Sequence, residues 1–338
     1  MAQEPEARIA VIGGGSWGTA FAAMLTERYS DVSLWVREPD VCAEIREGRE
    51  NRSFLPGIPV PAGVRPTTDL EEALSGRTIV AIAVPSHHLR EVARQAAAYL
   101  TPGAGVVSLA KGVENGTLQR MTEVLAEELP TFSDRLAALS GPTFAREVAE
   151  GKPTGATLAS ADEAVAGALQ AALSGRRFRV YAETDVVGTE IGGALKNVMA
   201  IAAGMSDGLG FGHNARSLLI ARGLVEVSRL GVRLGARPQT FAGLSGLGDL
   251  VLTCTGDLSR NRTVGMRVGR GEGIAGVLSG MRMVAEGVNT ARAAADLALR
   301  TGIPMPISEQ VYRILHEGKD ARTAVDELFA RALRAERD

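Results

Sequence analysis

One lysine stands alone in a strongly apolar stretch: Lys196 is flanked by Leu195, Val198, Met199 and Ala200 within the run from Ile191 to Gly204. Burying an unpaired ammonium is costly, so such a residue is expected to have a task. Desolvation lowers the pKa of a buried lysine, and a lysine so tuned can give and take a proton near neutral pH, as carbonyl reduction requires when an alkoxide forms. Asn197 beside it could hydrogen-bond the same oxygen. The plainer alternative is a lysine that snorkels at the rim of its helix.

A second constellation opens the chain. Gly13-Gly14-Gly15-Ser16-Trp17-Gly18 directly follows the strand-like run Arg8–Ile12 and has the form G-x-G-x-x-G. Its glycines Gly13, Gly15 and Gly18 allow a tight turn, close approach of backbone to a pyrophosphate and close helix–strand packing, and the following helix aims its first amides at the phosphates. The hexad alone is a weak signal. Its position between one strand and another, Val32–Val36, is what makes it a dinucleotide site. Arg37 follows that second strand, 24 positions after Gly13, near the ~20 at which a ribose anchor is expected. A guanidinium there can hold a 2′-phosphate, which favours NADPH, although the neighbouring Glu38 could serve NAD and Arg37 could be a solvated surface residue.

Three further groups lie where strands end. Ser86, after Ala83-Val84-Pro85, either caps a helix or meets the cofactor. Lys111 presents a cation beside nicotinamide or substrate, unless it is a surface lysine. Gly141 and Thr143 sit in a Gly-Pro turn with free amides and a hydroxyl for a small polar ligand. Later, Gly243–Asp249 reads as a glycine-rich turn presenting Asp249, whose carboxylate can orient a lysine or a substrate hydroxyl. Ser259, Arg260 and Asn261 form a compact donor cluster in which an arginine fork suits a phosphate monoester. Lys196, Lys111 and Asp249 are thus the candidate catalytic set. His87, His88, His213 and His316 have no metal-ligand spacing, so no metal is expected.

The elements that must position these groups divide the chain in two. The first part alternates apolar, β-branched runs (Arg8–Ile12, Val32–Val36, Thr78–Val84, Gly105–Ala110, Leu136–Ser140) with helical stretches (Trp17–Glu27, His88–Leu100, Leu118–Leu129). That pattern predicts a Rossmann-like, doubly wound parallel sheet, which Ala156–Ala159 and Phe178–Tyr181 could extend around a helix at Asp162–Leu173. From Thr184 the strand signal stops, and Ile191–Gly204, Ala215–Leu230, Gly287–Leu299 and Ser308–Glu317 carry helical periodicity. The expected division is a dinucleotide-binding domain, 1–183, and a helical substrate and catalytic domain, 184–338.

The chain has 338 residues, 45% hydrophobic and 22% charged, enough for two domains with cores of their own. Its 37 basic against 39 acidic residues leave a formal charge of −2 with no basic block, which argues against nucleic acid as a partner and requires any anion to be held by placed groups. Cys42 and Cys254 form no CxxC pair, and the start lacks a basic n-region before an apolar core, so a cytoplasmic chain is expected. The apolar run Ile191–Met205 is interrupted by Lys196 and Asn197, and no transmembrane span is expected.

Together these segments closely resemble the bacterial NAD(P)-dependent sn-glycerol-3-phosphate dehydrogenase family. The resemblance runs through Gly13–Thr19, Asn51-Arg-Ser-Phe-Leu-Pro-Gly57, Ala83–Ser86, Lys111-Gly112, Ser140–Val148, Gly193–Val198, Gly243–Thr255, Ser259–Arg262 and Glu286-Gly287, in family order over most of the chain. It implies reversible conversion of dihydroxyacetone phosphate to sn-glycerol 3-phosphate for phospholipid synthesis, in a cytoplasmic enzyme that is often a homodimer. It further implies Lys196 as proton donor and acceptor. Lys111, Gly141, Thr143, Asp249, Ser259, Arg260 and Asn261 would contact substrate; Ser16, Trp17, Arg37, Lys111, Ala145, Arg260, Val284 and Glu286 would contact the cofactor. Phe54 departs from the tyrosine more common in the family, which puts a hydroxyl contact in doubt. Two rival readings stay open at this point: a β-hydroxyacid-type dehydrogenase acting on a carboxylate, and a dinucleotide sensor without chemistry, against which Lys196 argues.

Overall fold

All four residues of the first strand, β1 (Ile9–Ile12), are buried, and they feed two different cores. Ile9 and Val11 join Phe21, Val32 and Leu34 on one face, whereas Ala10 and Ile12 join Val80, Ile82 and Leu89 on the other. A strand covered by helices on both sides reads as a continuous apolar run, which is why these strands are visible in the sequence.

The computed structural model describes residues 7–281, 285–333 and 335–336. After β1 come α1 (Ser16–Leu25), β2 (Val32–Trp35), α2 (Pro39–Gly48), β3 (Val64–Thr67), α3 (Leu70–Leu74), β4 (Ile79–Ile82), α4 (Leu89–Ala96), β5 (Gly105–Ser108), α5 (Met121–Glu128) and β6 (Leu136–Ser140). α6 (Ala145–Ala149), β7 (Thr154–Ala159), α7 (Glu163–Leu173) and β8 (Phe178–Glu183) complete a single eight-stranded sheet of order β3-β2-β1-β4-β5-β6-β7-β8. The first six strands have the Rossmann order and run parallel.

The sheet departs from the expected all-parallel form at one seam. The chain leaves β6 at the carboxyl edge and re-enters there, so β7 is antiparallel to β6 and β8 follows β7 in parallel. β3 was invisible in the sequence because its four residues, Val64-Arg65-Pro66-Thr67, include a proline; as the outermost strand it tolerates the missing donor. The helix expected from Leu118 begins at Met121 instead, since Leu118 adopts a left-handed conformation (φ 61°).

Beyond β8 the described chain is helical: α8 (Val186–Gly208), α9 (Gly212–Arg233), α10 (Asp249–Thr255), α11 (Arg260–Gly269), α12 (Ile274–Ser279), α13 (Glu286–Thr301), α14 (Pro306–Glu317) and α15 (Ala321–Phe329). Every residue of α8 from Gly188 to Ser206 is buried, and Leu195, Val198, Met199 and Ile201 lie in the core that the other helices build around it. Among the described residues α8 is the one helix long and apolar enough to cross a bilayer, but 89% of its apolar window is buried inside the protein. Asp185 caps it, accepting from Gly188 N at 2.8 Å, and Glu190 ties it to α5 through Arg120 Nη1 (2.6 Å) and Thr122 N (2.8 Å). The helix carrying Lys196 is therefore fixed at its start to the sheet-bearing part.

Candidate active site

The glycine turn is shaped by two close approaches. Gly13 has φ +119°, and a Cβ there would meet the backbone of Ala83 at 2.9 Å; a Cβ on Gly18 would collide with the Gly13 carbonyl. Gly15 has open space instead, with no atom of the described residues within 4 Å of where a Cβ would sit. The turn thus packs tightly behind and stays open in front, where a phosphate can approach.

From this turn a cleft of about 540 Å³ runs between the sheet edge and the helical part. Gly13, Gly15, Ser16, Trp17, Arg37 and Ala145 line one end, and Lys111, Thr143, Lys196, Ser259, Arg260, Asn261 and Glu286 line the other. Gly141 and Asp249 stand just behind that second wall, in contact with Lys111. Val284 falls outside the described residues. Residues separated by more than half the chain thus meet, and a volume of this size is ordinary for a cofactor site.

Asp249, the first residue of α10 and 1% exposed, bridges two lysines: its Oδ2 is 2.7 Å from Lys111 Nζ and its Oδ1 3.0 Å from Lys196 Nζ. Lys111 Nζ also donates to Gly141 O (2.7 Å) and Thr143 Oγ1 (3.2 Å), while Lys196 Nζ donates to Thr253 Oγ1 (2.9 Å). Burial pushes the Lys111 ammonium down to about 8, against the pull of Asp249. Burial also pushes the Asp249 carboxyl up, but the two ammonium groups outweigh it and hold the carboxyl below the usual carboxylate range. One negative and two positive charges leave this end of the cleft net positive.

The polar cluster after Gly256 opens a helix, α11. Ser259 is the N-cap of α11, its Oγ accepting from Arg262 N at 3.2 Å. Arg260 is exposed in the cleft and makes no ion pair among the described residues, whereas Arg262 is committed to Asp207 (2.8 Å) and Asp257 (2.9 Å). Asn261 Nδ2 donates to Asn197 Oδ1 (2.9 Å), and Asn197 Nδ2 to Lys111 O (3.1 Å), so these two amides stitch α8, α11 and the Lys111 strand end together. Glu286, at the start of α13, accepts from Ser86 N at 2.8 Å; burial pushes its carboxyl up, opposed by that N–H and by Arg260. Arg37, 62% exposed, pairs with Glu38 at 2.6 Å.

Sequence reasoning gave no role to Thr253, Asn51 or His88, which also lines the cleft. Thr253 lies four residues after Asp249, a relationship visible only once 249–255 is known to be helical.

A sheet of this order binds dinucleotides across its carboxyl edge, and an ammonium held opposite that edge is what hydride transfer to a carbonyl needs for its proton; the protein is a dinucleotide-dependent dehydrogenase. Family models described as NAD-dependent glycerol-3-phosphate dehydrogenase N-terminus and C-terminus match residues 8–166 and 185–326, and the chain belongs to that family. It is 55% identical over 331 residues to glycerol-3-phosphate dehydrogenase [NAD(P)+] of Geobacter sulfurreducens, covering 98% of this chain and 99% of the relative. Its counterpart in Myxococcus xanthus is 54% identical, with 97% and 98% covered. The crystal structure of glycerol-3-phosphate dehydrogenase from Coxiella burnetii superposes with a TM-score of 0.92 at 40% identity, over 97% of this chain and all of that one. Membership sets aside both the carboxylate-specific dehydrogenase and the sensor.

Proposed function

We propose that this protein reversibly reduces dihydroxyacetone phosphate to sn-glycerol 3-phosphate, the backbone of phospholipids, with NADPH preferred and NADH also used. The observation that carries the reading is the donor count at Lys196. An ammonium has three N–H groups; among the described residues Asp249 and Thr253 take two, which leaves one for a ligand in the cleft. Lys111 has none to spare, since Gly141, Thr143 and Asp249 take all three.

Bound NADPH supplies the hydride. Lys196 hydrogen-bonds the carbonyl oxygen and passes it a proton as negative charge develops there; in the oxidative direction the neutral amine takes that proton back. Asp249 holds both lysines in place, and Lys111 adds positive charge and fixes the turn carrying Gly141 and Thr143. Arg260 clamps the substrate phosphate, with Ser259 and Asn261 beside it. Gly13 to Gly18, with Ser16 and Trp17, receive the pyrophosphate; Ala145 and Glu286 complete the cofactor wall. Arg37 takes the 2′-phosphate by exchanging its partner Glu38, an exposed pair worth only about 0–1 kcal/mol, for a dianion.

In this reading residues 1–183 bind the dinucleotide and 184–338 the substrate, a division supported by the change from strand to helix between Glu183 and Val186. A cytoplasmic homodimer rests on the family resemblance. The test is an assay following NADPH oxidation with dihydroxyacetone phosphate, alongside unphosphorylated dihydroxyacetone and a carboxylate substrate. Turnover should require the phosphate; equal rates on the carboxylate substrate would overturn the reading.

A further inference from the structure

Asn51 is 0% exposed, and every hydrogen-bonding group of its side chain is engaged inside the protein. Its Nδ2 donates to Gly14 O and to Thr19 Oγ1, each at 2.8 Å, and its Oδ1 accepts from Phe54 N at 2.9 Å. Two of these partners belong to the glycine turn and the helix it opens. The third begins the loop to Gly57, whose Phe54 carbonyl accepts from Ser16 Oγ at 2.7 Å.

The bond to Gly14 has a directional consequence. In a trans peptide the C=O and N–H point in opposite directions, so a Gly14 carbonyl drawn onto Asn51 turns the Gly15 N–H away from Asn51. Gly15 lines the cleft and has open space beside its Cα. The peptide between Gly14 and Gly15 has no Cβ on either side to restrain it, and glycines adopt several backbone states at little cost. Rotated over, the same peptide would present a carbonyl oxygen to an anionic ligand.

We propose that Asn51 is a positioning residue for the cofactor: it fixes the polarity of the Gly14–Gly15 peptide so that a diphosphate in the cleft meets an N–H and not a carbonyl. This rests on reading Gly13 to Gly18 as the phosphate turn. Asn51 touches neither hydride nor substrate, so its loss acts on cofactor affinity while the Lys196 centre stays intact.

The experiment is a fluorescence titration of the full-length protein with NADPH, combined with steady-state kinetics. Asn51→Ala, which is neutral and so adds no repulsion, should raise the Kd for NADPH about tenfold or more, the consequence of freeing a buried carbonyl. Thr19→Val removes the other partner of Asn51 and a longer bond from Thr19 Oγ1 to Gly14 O (3.4 Å) but keeps the 2.8 Å bond from Asn51, so it should change that Kd less than about threefold. In Asn51→Ala, kcat at saturating NADPH and the KM for dihydroxyacetone phosphate should stay within about threefold of the wild type. Should alanine not fold, Asn51→Ser, with a side chain too short to reach Gly14, carries the same expectation. An unchanged Kd, a parallel loss in kcat and in both affinities, or an equal effect of Thr19→Val would overturn the proposal. Gly15→Asp separates the two levels. If it leaves NADPH binding unchanged, the phosphate-turn reading fails and the proposal with it; if it abolishes binding while Asn51→Ala does not weaken it, only the positioning role is lost.

Discussion

Lys111 and Lys196 meet on opposite oxygens of one carboxylate, at 2.7 and 3.0 Å from Asp249. Two ammonium groups so close would repel each other without it. The shared carboxylate lets a strand end and a helix core hold like charges at one end of a cleft that must attract a dianion. It also separates their duties, because the neighbours of Lys111 saturate its donors and those of Lys196 do not.

That difference predicts unequal consequences for catalysis. Lys196→Ala should lower kcat by roughly 10²–10⁴ while leaving the Kd for NADPH nearly unchanged. Stopped-flow turnover and NADPH titration on the same preparation measure both. Turnover near that of the wild type would remove Lys196 from the proton path, and a large loss of NADPH affinity would point to damage of α8.

Cofactor choice is tested at the rim. Arg37→Ala should raise the KM for NADPH by about tenfold or more and that for NADH far less, since only NADPH carries the 2′-phosphate. Equal effects on the two cofactors would mean that Arg37 only stacks on adenine or lies outside the site.

Away from the cleft, Glu226 is 4% exposed on α9 and accepts from the first amides of α14, Ile307 N at 2.8 Å and Ser308 N at 3.3 Å. Burial pushes its carboxyl up to about 7 in spite of these donors. A carboxyl whose folded pKa lies above its unfolded value binds its proton more tightly when folded, so its contribution to stability is present at low pH and is lost as pH rises through about 4.5 to 7. Urea denaturation at pH 5 and pH 8 should therefore show the advantage of the wild type over Glu226→Gln shrinking by about 1–3 kcal/mol at the higher pH. A constant difference between the two proteins would contradict a raised pKa.

Much of this arrangement is legible in the sequence because it rests on local signals. The glycine hexad after an apolar strand, and a lysine among apolar residues, each declare themselves within a few positions. What stayed hidden depends on long-range partners or on rules that tertiary context overrides. Pro66 concealed an edge strand. The segment from Gly243 to Asp249 reads as a glycine-rich turn but runs straight into α10, so the spacing from Asp249 to Thr253 carries no meaning in the sequence alone. Asn51 and Gly14 lie 37 residues apart, and no periodicity links them. The reversal at β7 is equally silent, since a buried strand has the same composition in either direction.

Phosphate recognition gives the last prediction, and it starts from charge. With a formal charge of −2 the whole protein does not attract a dianion, so placed groups must do so. The Lys111–Asp249–Lys196 triad is net positive but spends most of its donors internally, and Arg262 is bound to Asp207 and Asp257. Arg260, at the first turn of α11 and facing the cleft, retains its full fork of donors among the described residues. Arg260→Lys keeps the charge and loses the paired geometry, so kcat/KM for dihydroxyacetone phosphate should fall by about tenfold or more, and further in Arg260→Ala. Unphosphorylated dihydroxyacetone, a poor substrate throughout, should respond much less because it never engages the clamp. Parallel kinetics on the two substrates decide the matter: an equal loss on both would place Arg260 against the cofactor or the fold and remove it from the phosphate site.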